Sequence, residues 1–261
     1  MASCGHEAVY SGALSSDRFG SDHIWVEDNQ RTPIRIGKSS AKVVLVQPPD
    51  GPPWIEKSSL SRELEREVAI LKWCAGRLPV PKVIAHAPGS IVMSVLPGVI
   101  LADLPARTAV SVIVQALNLV HSLPIAECPF DASWESRLKQ GAENILAGLI
   151  DESDFDDDNV GRSPSDILAE LRSLPPLPEL GCFTHGDACL PNFLGQNGEL
   201  TGIVDLGRAG IAHPAQDWAL ALRSVRGNFG SLGEQSLREH LPTHSADEEV
   251  LRRFRLLDEL F

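Results

Sequence analysis

The sequence lacks the cysteine spacing of a disulfide framework or a zinc site: Cys4, Cys74, Cys128, Cys182 and Cys189 are five in number, scattered, and never in CxxC register. They read as reduced thiols. It is also short of basic residues, with 23 Lys and Arg against 35 Asp and Glu and a formal net charge of −12. That balance argues against nucleic acid, which demands a basic face, and suits a polycationic ligand instead. Long apolar runs are missing too. The most apolar stretch, residues 91–102, is twelve residues long and is interrupted by Pro97 and Gly98, too short to span a bilayer. The chain opens without a basic segment followed by an apolar run, so no secretory signal is expected. A cytoplasmic protein with no membrane association is expected, and nothing implies a protein partner. What is present, 261 residues of which 43% are hydrophobic, is ample for one large domain or two lobes.

The rest of the chain is organised around residues 184–208, THGDACLPNFLGQNGELTGIVDLGR. Asn197-Gly198 is a strong hairpin signal, because both central residues of a type I′ turn need φ > 0. With those residues as the turn, Gln196 faces Glu199 and the count along the strands places Asn192 opposite Ile203. Asp205 then emerges just past the strand end beside Asn192, with Asp187 in the loop before the hairpin. Such a site suits phosphoryl transfer. Mg²⁺ takes a carboxylate and an amide carbonyl and draws its remaining oxygens from phosphates and water, while a separate carboxylate orients the attacking hydroxyl.

Protein kinases carry a catalytic Asp, an Asn five residues on, and then a metal-binding Asp-x-Gly. Here Asp187 and Asn192 have that spacing and Asp205-Leu206-Gly207 follows. Position for position, His185-Gly186-Asp187-Ala188-Cys189-Leu190-Pro191-Asn192 and Val204-Asp205-Leu206-Gly207-Arg208 resemble the aminoglycoside 3′-phosphotransferases. Gly186, where protein kinases have Arg, favours the small-molecule branch. The resemblance implies ATP and Mg²⁺ as cofactors, Asp187 as the catalytic carboxylate, and Asn192 and Asp205 as metal ligands.

Upstream, residues 34–36, 42–47 and 54–57 read as strands of an antiparallel meander, with 37–40 and 48–52 as turns. The first turn has one glycine rather than GxGxxG. Gly37-Lys38-Ser39-Ser40-Ala41-Lys42-Val43 is similar to the family's nucleotide-positioning loop, which implies that Ser39 approaches the β-phosphate. A helix beginning near Ser61 carries an apolar stripe of Leu64, Val68, Leu71 and Ala75. Glu67 borders that stripe and needs a partner; Lys57, closing the third strand, is the expected one. By resemblance the pair aligns the nucleotide phosphates. The strand from Ile91 runs into Pro97-Gly98, where a hinge is expected, with Ser94, Val95 and Leu96 as adenine contacts. Family members can place an aromatic two residues before the strand lysine; this chain has Ile55 there, which leaves ATP against GTP open.

Beyond the hinge, Val110 to Val120 predict a helix ending at His121, itself expected to be a satisfied core histidine, and another helix runs to about Ile150. Residues 151–158 then hold six acids in eight positions. Read alone this is a solvated loop; the resemblance makes Asp156 and Asp157 contacts for ammonium groups. Asp217 is implied to brace the catalytic loop, and Arg208 to salt-bridge near the metal or substrate loop as part of the substrate site. Gly227 and Asn228 stand where relatives have acids. The last helix, Val250 to Phe261, ends in a family signature in which Asp258, Glu259 and the terminal carboxylate of Phe261 reach the substrate amines. Three negative charges at a helix C-terminus oppose its dipole, so a cationic partner is expected.

The expectation is therefore an α+β, bilobal protein-kinase-like fold, with an N-terminal nucleotide-binding lobe over 1–95 and a mainly helical catalytic and aminoglycoside-binding lobe over 96–261. Its expected activity is transfer of the γ-phosphate of ATP to the 3′-hydroxyl of a kanamycin- or neomycin-type aminoglycoside, conferring antibiotic resistance. A kinase for another small alcohol, or a non-catalytic nucleotide-binding pseudokinase, are the alternatives; the latter is opposed by intact Lys57, Asp187, Asn192 and Asp205.

Overall fold

The computed structural model describes residues 29–34, 41–59, 63–177 and 181–261. Ser39 and its turn lie outside them, as do the residues before 29. The first half is a five-stranded antiparallel sheet in the order β1-β2-β3-β5-β4, made of β1 (Gln30–Ile34), β2 (Lys42–Gln47), β3 (Trp54–Ser58), β4 (Val83–Ala87) and β5 (Ser90–Ser94). The first strand starts earlier than the expected residues 34–36, because Gln30 to Ile34 form the antiparallel ladder with Gln47 to Val43 of β2. Between β3 and β4 lies α1 (Glu63–Cys74). It buries Leu64, Val68 and Leu71 as the stripe requires, but the helix stops at Cys74 and Ala75 is exposed. Ile70 and Cys74 complete the buried face.

After β5 comes the short β6 (Val99–Ile100), then α2 (Ala106–His121), which buries Val110, Ile113, Leu117 and Val120. Next is α3 (Trp134–Ala147), started by the Ser133 hydroxyl accepting the N–H of Ser136 and ended by Gly148 at φ 65°. The left-handed glycine terminates it before the expected Ile150. α4 (Pro164–Ser173) is capped by Ser163 with Pro164 in its first turn.

β7 (Cys182–Thr184), β8 (Phe193–Gln196), β9 (Glu199–Ile203) and β10 (Gly210–Ala212) form two small sheets, β10-β7 and β6-β8-β9, that carry the central stretch. The long α5 (Ala215–Arg238) bends at Gly230, whose φ is 72°, and α6 (Glu248–Asp258) closes the described fold. One apolar core runs from Leu71 and Ile91 under the sheet to Ile113, Phe193 and Trp218 among the helices. Among the described residues no helix is long and apolar enough to cross a membrane.

Candidate active site

The β8–β9 hairpin turns at Asn197 (φ 55°) and Gly198 (φ 82°), the type I′ geometry that the dipeptide encodes. Gln196 faces Glu199 as counted. The register then slips by one residue between Leu194 and Gly195, so Phe193, not Asn192, lies opposite Ile203. Thr201 is the extra residue, and its hydroxyl donates to the Pro97 carbonyl at 2.7 Å. This bulge corrects the simple count. Asn192 still meets the strand exit, because its carbonyl accepts the N–H of Val204 at 2.9 Å.

Asn192 turns its amide back to Asp187, with Nδ2 donating to the Asp187 carbonyl at 2.9 Å and to its Oδ2 at 3.0 Å. The orientation leaves Oδ1 of Asn192 as the end directed elsewhere. Asp205 adopts φ 59°, a left-handed conformation costly for a side chain other than glycine. Its Oδ1 accepts from Lys57 Nζ at 2.8 Å, and the same ammonium donates to Glu67 Oε2 at 2.8 Å. The expected strand-helix pair is thus formed, with Asp205 as a third member. Burial alone would lower the Lys57 pKa, but the carboxylates of Glu67 and Asp205 outweigh it and hold the lysine charged well above its usual range. Asp205 is held below the usual carboxylate range, the Lys57 ammonium prevailing over burial.

Asp217, in the first turn of α5, is a fully buried hub. Its Oδ2 accepts the N–H of His185 at 2.8 Å and Nε2 of His121 at 2.9 Å, and its Oδ1 accepts the N–H of Gly186 at 2.9 Å. Against the cost of burial, His121 and these backbone donors keep its carboxyl below the usual range. His121 is therefore a satisfied core residue. His185 is buried as well: Nε2 faces the Val204 carbonyl at 2.9 Å and Nδ1 accepts the N–H of Asp187 at 3.2 Å. A carbonyl can only accept, so Nε2 is the nitrogen that donates to it. The ring ties the loop of Asp187 to the exit of β9.

A third group gathers the charged residues of the acidic loop and the C-terminus. Arg208 donates through Nη1 to Asp258 Oδ1 at 3.2 Å and through Nη2 to the Phe261 carbonyl oxygen at 3.0 Å. Arg223 pairs with the other oxygen of Asp258 and reaches Asp156 Oδ2 at 3.5 Å. Burial would raise the Asp258 carboxyl, yet Arg223 and Arg208 hold it low. Glu259 accepts from the Asp156 N–H at 3.0 Å and from Asn159 Nδ2 at 2.8 Å, fastening the acidic loop to α6. Asp157 is exposed. Asp258 and the Phe261 terminus thus have internal cationic partners, which the sequence reading did not foresee for Arg223, whereas the partners of Glu259 are neutral donors. At the strand end, the N–H of Ser94 is taken by the Lys82 carbonyl at 2.9 Å, while Val95 is exposed at the break.

Arg137 and Arg66 also escaped the sequence reading. Arg66 donates to the carbonyls of Ala209 at 2.8 Å and Asp131 at 3.0 Å, tying α1 to the segment after Asp205. Arg137 sits four residues before Gly141 on the buried face of α3. A Cβ on Gly141 would lie 2.9 Å from Leu260, so a glycine one turn from an arginine was the available signal of a closely approached face.

No group of three or more His, Cys, Asp and Glu able to hold a metal occurs among the described residues. Mg²⁺ needs no such cluster, because one carboxylate and one amide carbonyl suffice beside phosphate oxygens. Asn192 Oδ1 and the Asp205 oxygen not engaged by Lys57 are the two oxygens that could supply such a donor set.

Comparison with known proteins gives the same picture over nearly the whole chain. The family described as "Phosphotransferase enzyme family" (APH) matches residues 31–254. An aminoglycoside 3′-phosphotransferase of Niallia circulans is 32% identical over 87% of this chain and 91% of its own length. One of Escherichia coli is 29% identical over 99% and 97%. Among solved structures, aminoglycoside-3′-phosphotransferase of type VIII superposes with a TM-score of 0.80 at 28% identity, covering 90% of this chain and 94% of the other. APH(3″)-Id of Streptomyces rimosus, solved with ADP and streptomycin, shares the fold at a TM-score of 0.73 and 20% identity, over 89% and 93%. The Asp187-to-Asn192 spacing, the Lys57–Glu67 pair and this coverage lead to one assignment: the chain belongs to the APH phosphotransferase family, with the protein-kinase-like fold of the aminoglycoside 3′-phosphotransferases.

Proposed function

We propose that this protein transfers the γ-phosphate of ATP to the 3′-hydroxyl of kanamycin- or neomycin-type aminoglycosides, and so confers resistance to them. The observation that carries the reading is Lys57 bonded at once to Glu67 and Asp205, beside a loop in which the Asn192 amide donates to Asp187 Oδ2. The names of the relatives and the ADP-bound structure of one of them support it.

In this reading residues 1–95 form the nucleotide lobe and 96–261 the catalytic lobe, with Ser94, Val95 and Leu96 presenting hinge backbone to adenine. Lys57 keeps Glu67 on nucleotide binding and turns its remaining donors to the phosphates. Ser39, outside the described residues, approaches the β-phosphate by family resemblance. Asn192 and Asp205 hold Mg²⁺, which when bound neutralises the charge on the phosphate oxygens. Asp187, its Oδ2 fixed by Asn192, orients the acceptor hydroxyl and takes its proton. The transition state is loose, so positioning outweighs basicity. Asp156, Asp157, Asp258, Glu259 and the Phe261 carboxylate face the ammonium groups of the antibiotic, and Arg208 holds Asp258 in place for them. The enzyme acts in the cytoplasm.

A coupled ADP-release assay tests this with ATP, Mg²⁺ and either kanamycin or tobramycin, which lacks the 3′-hydroxyl. Turnover on kanamycin alone is expected; equal turnover on both would move the target to another hydroxyl.

A further inference from the structure

Arg137 belongs to none of the groups given a role in the transfer, yet it is 5% exposed and has no carboxylate within 4.0 Å among the described residues. Its partners are of another kind. Nη2 donates to the Arg208 carbonyl at 3.0 Å and to the Gly186 carbonyl at 3.4 Å, and Nη1 donates to Gln140 Oε1 at 3.2 Å. The guanidinium also lies over the Phe261 ring, 4.8 Å from its centroid. Burial, reinforced by the like charge of Arg208 and only partly offset by the more distant carboxylates of Glu63 and Asp258, lowers its pKa to about 10, so it stays charged at neutral pH.

A buried cation without a carboxylate is costly, and an apolar side chain is the cheaper filler of such a space. The cost is understandable if the place demands a fork of donors. Gly186 directly precedes Asp187, and Arg208 lies three residues after Asp205. The two backbones meet closely: a Cβ on Gly186, itself at φ 84°, would fall 2.2 Å from the Arg208 carbonyl oxygen and 2.9 Å from Arg137 Nη2. Two carbonyl oxygens brought together repel unless a donor stands between them. Gly186 has other ties, its carbonyl accepting from Gln216 Nε2 at 3.2 Å and its N–H donating to Asp217. Arg137 is the side chain that reaches both carbonyls.

We propose that Arg137 is a positioning residue for phosphoryl transfer, its guanidinium pinning the seam between the Gly186 and Arg208 backbones and thereby fixing Asp187 relative to Asp205. The consequence for rate rests on the proposed roles of those two carboxylates; the pinning itself does not.

The test uses the full chain with Arg137→Met, which keeps bulk and removes the donors, and Arg137→Lys, which keeps the charge but not the fork. Turnover of kanamycin and amide hydrogen exchange of peptides covering 184–192 and 204–212 are measured for each. In Arg137→Met, kcat falls at least about 30-fold, since small misplacements of reacting groups are that costly. The KM for ATP moves less than about threefold, because the Lys57–Glu67 pair is untouched. Exchange quickens in both segments, and Arg137→Lys falls between wild type and Arg137→Met in both readouts. If Arg137→Met does not accumulate as a folded protein, Arg137→Lys decides alone by the same two readouts. Unchanged exchange in both segments, unchanged kcat in active enzyme, or kcat and ATP KM worsening together with a general rise in exchange would each overturn the proposal. If the wild type turns over no kanamycin, the functional reading fails, and exchange in the two segments still decides whether Arg137 pins the seam.

Discussion

Asp217 shows how a buried carboxylate can brace a loop of the candidate site from behind. It gathers the N–H groups of His185 and Gly186 and the ring of His121, and these donors set the backbone from which Asp187 projects. Asp217→Asn presents an amide donor where donors already converge, leaving one of them unpaired in the core. The expected cost is about 2–4 kcal/mol, measured by urea unfolding. The pH dependence has a definite sign. Because the folded carboxyl is held below its unfolded value, its stabilisation is fully present above the ordinary carboxylate range and is lost as pH falls through the depressed folded value, in the window below about pH 4. Asp217→Asn should flatten that acid limb; a limb of unchanged steepness would contradict the assignment. That Lys57 meets Glu67, and that Asp187 and Asn192 lie together near the exit of β9, was legible from spacing and family resemblance. Arg137 and Arg223 were not, since a charged residue on a helix says nothing of which distant carbonyl or carboxylate it will meet.

The β8–β9 hairpin is the element that sequence specifies most directly and where it also falls short. Asn197-Gly198 dictates a turn with two positive φ values, and the structure has them. The one-residue slip at Thr201 is set from outside the hairpin, by the Pro97 carbonyl that takes its hydroxyl and by Gly98, where a Cβ would lie 2.4 Å from Thr201 Oγ1. Alternation of side chains along a strand cannot encode a contact with a distant loop, so the register had to be seen. Gly198 offers a clean measurement, because a Cβ there meets nothing within 4 Å. Gly198→Ala should therefore cost about 1–2 kcal/mol through the left-handed backbone alone, with an unchanged denaturant slope. A loss below about 0.3 kcal/mol would mean that the turn does not hold the hairpin. Helix ends were likewise less legible than helices: the αL glycine at 148 stops α3 before Ile150, and α1 stops at Cys74 although its apolar period continues to Ala75.

At the scale of the molecule, the ties that join the sheet-bearing part to the helical part beside the candidate site include the Lys57–Asp205 bond, Arg66 reaching Ala209 and Asp131, and Gln140 reaching Glu63. Arg208 and Arg223 draw the end of α6 toward the loop after β9, and Glu259 fastens the acidic loop to the same helix end. Three stretches remote in sequence, near 156, 208 and 258, thereby converge. The net charge of −12 favours a polycationic ligand at long range, while Arg223 and Arg208 hold Asp258 charged. The α+β architecture was readable because the strand alternation, the apolar stripes and the turn glycines agree with one another; convergence of the ion pairs depends on packing that no local pattern records. In the proposed function this convergence aims Asp187 at one hydroxyl of an aminoglycoside, and ³¹P–¹H correlation NMR of the product formed from kanamycin, ATP and Mg²⁺ reads which one. The phosphate should be found on the 3′-oxygen; a phosphate on any other oxygen, or no phosphorylated product, would contradict the account.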